Sequence, residues 1–153
     1  VRILEIEKHF QSEETLGKVL DAISVDINKI DYWIGLMKDG ITLNPEEAKN
    51  ALNDLTARFM SLKTVLAIAE TEKKNREIRY YNKIKIDIGK GVRSEKKFVS
   101  AVGEKEASAF VAPYRRIRNI IKAYMESAEK GISTMQSLLK YLSEEAKLGG
   151  RKS

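Results

Sequence analysis

Between Lys73 and Lys97 the chain reads KKNREIRYYNKIKIDIGKGVRSEKK. The cations Lys73, Lys74, Arg76, Arg79, Lys83, Lys85, Lys90, Arg93, Lys96 and Lys97 face only Glu77, Asp87 and Glu95 there, and Tyr80 and Tyr81 stand side by side near the middle. Cation and flat ring together suit a single nucleic acid strand. Lysine and arginine follow the phosphates, while tyrosine offers a face to an unpaired base without reading its identity. These ten cations and two tyrosines are the candidate nucleic-acid-binding residues. The competing reading is a long helix carrying the solvated charge of any exposed helix, with its tyrosines in the core.

The charge is unevenly placed. Residues 1–72 hold 8 Lys/Arg and 13 Asp/Glu, a net of −5, and residues 73–153 hold 20 and 9, a net of +11. An anionic partner is therefore drawn to the C-terminal half, with an affinity that falls as salt rises. At 153 residues and 42% hydrophobic the chain has the material for one domain with a real core. It has no cysteine, which removes disulfides and thiolate metal sites and fits a reducing cytoplasm. No apolar run approaches the ~20 residues needed to cross a bilayer, and VRILEIEKHF is too charged for a secretion signal, so a soluble protein is expected.

An enzyme of this size needs a nucleophile with a base, paired carboxylates or a metal. His9 is the single histidine, so the serines lack a partner and a His-rich metal site cannot form. The acids lie mainly on helix faces opposite apolar stripes. The expectation is a binding protein without catalytic residues, cofactor or metal.

The elements that must position the basic stretch are helical. Residues 1–11 fit a strand through Val1, Ile3 and Ile6 or a helix through Leu4, Ile6 and Phe10. Ser12, Glu13 and Glu14 then open a helix over 12–38. Its stripe, Leu16, Leu20, Ile23, Ile27, Ile30, Ile34 and Met37, is spaced four and three apart. Gly40 ends it, and Ile41-Thr42-Leu43 bridges to a second helix opened by Asn44, Pro45 and Glu47. The second stripe is Ala48, Leu52, Leu55, Phe59, Leu62, Leu66 and Ala69, so the two helices read as an antiparallel hairpin.

Continuing that frame places Lys73, Arg76, Tyr80 and Lys83 where leucine and alanine stood, although nothing from 45 to 86 breaks the helix. A core stripe cannot take unpaired cations, so this end must leave its helical partner or meet something anionic. A helix over 45–86 is roughly 60 Å long and projects past its partner. Gly89 and Gly91 make a mobile basic loop over 89–93, without the Walker spacing of a nucleotide-binding loop. Ser94 caps a short helix over 94–102, interrupted at Gly103. A C-terminal helix over 104–147 starts or kinks near Pro113, and 148–153 form a flexible tail. Its stripe is Ile117, Ile121, Tyr124, Ala128, Gly131, Met135, Leu138 and Leu142, thickened by Ile132 and Leu139. Arg115, Arg116, Arg118 and Lys122 either extend the basic face or pair with acids of the first hairpin. The fold class is thus all-α, an elongated helical hairpin plus a long C-terminal helix with coiled-coil-like heptad packing. Three such stripes also argue for self-association.

Over residues 65–147 the chain resembles the UvsY family of tailed-phage recombination mediators. The resemblance rests on order: a helix ending in a basic segment with Tyr80-Tyr81, a Gly-rich basic loop, a Ser94-Glu95 helix start, and a terminal helix ending ISTMQSLLKYL. It implies a non-enzymatic protein that forms a ring-like homo-oligomer and binds single-stranded DNA. It further implies loosening of the single-strand-binding protein and loading of a RecA-like recombinase, in the host cytoplasm if the chain is phage-encoded. The family's Lys-Ala-Arg motif before its tyrosines reads Asn75, Arg76, Glu77 here, with the charge kept by Arg76 and Arg79. The rival to this reading is a helical scaffold or adaptor whose partner is an acidic protein.

Overall fold

Asn44 and Glu47 begin the longest element as their types dictate. In the computed structural model, which describes residues 3–40 and 42–151, the Glu47 amide donates to Asn44 Oδ1 at 2.8 Å and the Asn44 amide to Glu47 Oε1 at 3.4 Å. That is a reciprocal capping box. In chain order the elements are α1 (Ile3–His9), a 3-10 turn (Glu13–Thr15), α2 (Gly17–Ala22), α3 (Ser24–Lys38), α4 (Pro45–Gly89), α5 (Ser100–Phe110) and α6 (Ala112–Arg151). The fold is all-α, with no strand among the described residues. No helix among them is long and apolar enough to cross a membrane.

Of the two alternatives open for residues 1–11, the described part takes the helix, and several later boundaries differ from expectation. Residues 3–9 are helical, burying Ile6 and then Phe10 while Leu4 stays exposed. The segment 12–38 is divided at Leu16 and Ile23, and at its start Ser12 makes no side-chain cap to the backbone, while Thr15 donates to the His9 carbonyl at 2.7 Å. Gly91 is a helix cap rather than part of a free loop. At φ +74° it lets its own amide reach the Ile88 carbonyl at 3.1 Å and the Val92 amide reach that of Asp87 at 2.9 Å, a Schellman closure. Residues 94–99 are not helical: α5 begins only after the extended Val99 and runs through Gly103 without interruption. The chain then breaks at Val111 rather than kinking within a helix, and Pro113 takes the second position of α6, where its missing N–H has no helical partner to lose. Helix α6 continues to Arg151 over most of the expected tail; Val1, Arg2, Ile41, Lys152 and Ser153 lie outside the described residues.

The chain forms two compact units. One comprises Ala22–Thr64 and Ile121–Ser153. Within it α3 and the first part of α4 run antiparallel, since Asp26 meets Arg58 and Ser61 while Trp33 meets Asp54. Ile23, Ile30, Ala48, Leu55 and Leu62 are buried, as are Ile121, Ala128 and Met135 of α6. Gly131 permits the close approach of α6: a Cβ there would lie 2.9 Å from Leu55 Cδ1. The buried charge is Asp26, 4% exposed, held by Arg58 Nη1 at 3.1 Å and Ser61 Oγ at 3.3 Å.

The other unit comprises Arg2–Asp21 and Val65–Ile120. Ile6, Phe10, Leu16 and Val19 are buried there with Val65, Leu66, Ala69, Ile84, Ala107, Val111, Tyr114 and Ile117. All three apolar stripes are buried or half-buried within the chain.

Removing Arg58 should leave Asp26 buried with only a serine. Arg58→Met is expected to destabilise the fold by about 2–3 kcal/mol, because breaking a buried pair is costly and Arg58 is itself only partly buried. Asp26→Leu combined with Arg58→Met should recover most of the loss in urea denaturation. A single variant as stable as the parent would show that the pair contributes nothing.

Candidate nucleic-acid interface

Arg76 occupies the inward stripe of α4, where a charge has to be given partners. Its Nη2 donates to the Phe10 carbonyl, its guanidinium lies 4.8 Å from the centroid of the Tyr114 ring, and its Nε stands 3.9 Å from a Glu72 oxygen. That Nε has no hydrogen-bond partner. Burial raises the Tyr114 hydroxyl above its ordinary pKa, and Arg76 pulls in the opposite direction. The stripe therefore turns cationic without leaving the protein: carbonyl, ring and carboxylate of the same unit receive the arginine.

The two tyrosines part company. Tyr80 stacks on Phe110, ring centroids 4.1 Å apart and planes within 5° of parallel. Tyr81 meets Phe98 edge-on at 5.3 Å. Gly103 makes room for that second pair, since a Cβ there would sit 2.7 and 2.9 Å from Phe98 ring carbons and 3.2 Å from Tyr81. Tyr81 is thus occupied in packing, and Tyr80 gives one face to Phe110.

Two shallow grooves follow from these packings, on different stripes of α4. One, of about 240 Å³, is lined by Arg76, Arg79, Tyr80, Lys83 and Phe110. Three cations and two rings line it, with no acid. The other, of about 430 Å³, is lined by Lys74, Glu77, Ile78, Tyr81, Glu104 and Ala107. Its two carboxylates outnumber its one cation, so an anion is favoured by the first groove and opposed by the second.

The remaining candidates divide by partner. Lys73 pairs with Glu77 at 3.4 Å. Arg93 is the most heavily engaged: its guanidinium reaches Glu95 at 2.7 Å and Glu106 at 2.9 Å, which holds the segment 93–95 against α5. The Arg93 guanidinium keeps the Glu95 carboxyl below the usual carboxylate range, and the two carboxylates push Arg93 further up. Lys85 Nζ lies 5.9 Å from the Phe98 centroid. Among the described residues no carboxylate comes within ion-pair distance of Lys74, Arg79, Lys83, Lys85, Lys90, Lys96 or Lys97. The structure therefore brings Arg76, Arg79, Tyr80 and Lys83 into one groove, and leaves Lys90, Lys96 and Lys97 on the connection to α5. Arg115 donates to the Ser108 carbonyl and hydroxyl rather than to an acid of the first hairpin.

Phe110 and Phe98 were not legible as members of this region. Their only signal is that a phenylalanine follows Lys96-Lys97 and another precedes the Val-Ala-Pro break. No family model, curated protein or solved structure matches the chain. Among the described residues no group of three or more His, Asp or Glu is placed to hold a metal ion.

Gly103→Ala tests the packing behind the interface. The added methyl has to displace an aromatic ring, an overpacking loss of about 1–3 kcal/mol, against a helix-propensity gain of about 1 kcal/mol. Net destabilisation in thermal denaturation is expected, with a shift in the aromatic proton resonances of Phe98 and Tyr81. Unchanged resonances would mean the rings do not meet that glycine.

Proposed function

We propose that this chain is a non-enzymatic single-stranded nucleic-acid-binding protein, DNA being the strand that its resemblance to the UvsY family implies. The observation that carries the reading is the groove of Arg76, Arg79, Lys83, Tyr80 and Phe110, in which cations flank rings and no acid intervenes. Arg79 and Lys83, exposed and without carboxylate partners among the described residues, hold phosphates. Arg76, fixed by Phe10 and Tyr114, adds its field from a set position. A duplex keeps its bases stacked inward and gains nothing from the rings, so the single strand is preferred.

A second reading, an adaptor for an acidic protein, is favoured by one observation: Tyr81 and one face of Tyr80 are taken up by Phe98 and Phe110. Titration of fluorescent oligo(dT), matched duplex and poly-glutamate at two salt concentrations separates the two. Oligo(dT) should bind best, with affinity falling steeply as salt rises. Arg79→Ala with Lys83→Ala should lower the salt slope by about 1.4, two phosphate contacts at ~0.7 each on a single strand, with circular dichroism unchanged. A double variant that binds like the parent removes the groove as the site, and poly-glutamate binding as tight as oligo(dT) favours the adaptor.

The finer role, assistance to a RecA-like recombinase by a ring-like homo-oligomer that loosens the single-strand-binding protein, is supported by the order of motifs over residues 65–147 apart from the Ser94-Glu95 helix start, where the chain is not helical. Sedimentation at micromolar concentration should then give an assembly, and its addition should speed recombinase filament growth on strands covered by single-strand-binding protein. A monomer that leaves that rate unchanged would sink this role while leaving strand binding intact.

A further inference from the structure

Phe110 ends α5, one residue before the fully buried Val111, yet is itself 47% exposed. Its ring lies nearly parallel to that of Tyr80, stacked 4.1 Å away, so one face is covered by the tyrosine. Tyr80 is the more buried member of the pair, on the same stripe of α4 as Arg76 and Lys83. A large apolar ring held flat on a neighbour, beside a cationic groove, has the makings of a base platform: stiff, already oriented, and flanked by phosphate-binding charge.

We propose that Phe110, rather than Tyr80 or Tyr81, is the stacking surface for an unpaired base, with Tyr80 as its support and Arg79 and Lys83 on the flanking phosphates. This rests on the single-strand reading above and names the residue that meets the base. Two features of the groove favour a nucleobase over an acidic peptide as occupant. The lining offers a flat π face beside three cations, matching the alternation of base and phosphate along a strand. It also carries no carboxylate or amide, and with Arg79 and Lys83 engaged on the phosphates and Arg76 held by Phe10 its cations are drawn away from base edges, so binding should be only weakly base-selective.

The test uses the full chain with oligo(dT) and with an abasic phosphodiester strand of equal length. The parent should bind oligo(dT) more tightly than the abasic strand. Phe110→Leu should lower affinity for oligo(dT) about tenfold and leave the abasic strand unaffected. Phe110→Trp should keep oligo(dT) binding, with emission quenched by oligo(dT) and not by the abasic strand, over the constant signal of Trp33. If Phe110→Leu binds oligo(dT) like the parent, or weakens both strands alike, or if the Phe110→Trp emission is not quenched, the platform is overturned while phosphate binding stands. A parent that binds neither strand overturns the single-strand reading itself. Should Phe110→Leu fail to fold by circular dichroism, the quenching of Phe110→Trp alone decides.

Discussion

A guanidinium on the inward stripe of a helix is tolerable only if its own chain supplies acceptors, and in the second unit that condition fixes what surrounds Arg76. The Phe10 carbonyl lies just beyond the end of α1, where the terminal carbonyls of a helix lack amide partners. One contact therefore satisfies two orphan groups, the charge on α4 and an acceptor at the end of α1. Tyr114 completes the arrangement by offering its ring face to the cation. With Arg76 held, the neighbours on its stripe have defined directions: Tyr80 toward Phe110, and Arg79 and Lys83 along the groove beside them.

The first unit solves the same problem with the sign reversed. Asp26 sits where an apolar residue would be expected, and Arg58 and Ser61 reach it from α4. Arg58 also pairs with Asp54, which accepts from the Trp33 indole. The chain links α3 to α4 by directional bonds at two heights as well as by apolar contact. Such bonds choose one register among several that a simple leucine stripe would allow, a role attested for buried polar groups elsewhere and offered here as the reason for the pair.

The apolar stripes were readable because helical burial repeats every three to four residues, and Leu16 to Met37, Ala48 to Ala69 and Ile117 to Leu142 obey that spacing. The Asn44–Glu47 box and Gly40 were readable because their chemistry is local. What escaped was set by contacts far apart in sequence. Arg76 meets Phe10 across 66 residues, and Tyr80 meets a phenylalanine in another helix. The cationic turn of the stripe was visible, but its resolution was not, since a third helix could cover that end and the pattern of α4 alone says nothing of it. Gly103 read as a breaker because glycine weakens helices; its buried place against two rings shows that close approach outweighed propensity. The basic face was legible as composition, whereas the division of its cations between ion pairs and open solvent depends on Glu95 and Glu106 lying near Arg93.

The junction between α5 and α6 consists of the single residue Val111, fully buried. Because each residue added to a helix turns it by about 100°, one insertion or deletion there would swing Phe110 away from Tyr80 and drag Val111 out of the core together. The ten residues between Gly89 and Ser100 are tied at Arg93 and, through its ring on Tyr81, at Phe98, with Lys96 and Lys97 between them outside any ion pair and able to absorb a change of length. Length variation among descendants of this chain would thus accumulate on one side of α5 and be purged on the other, leaving that helix as a hand whose wrist is locked and whose sleeve is loose.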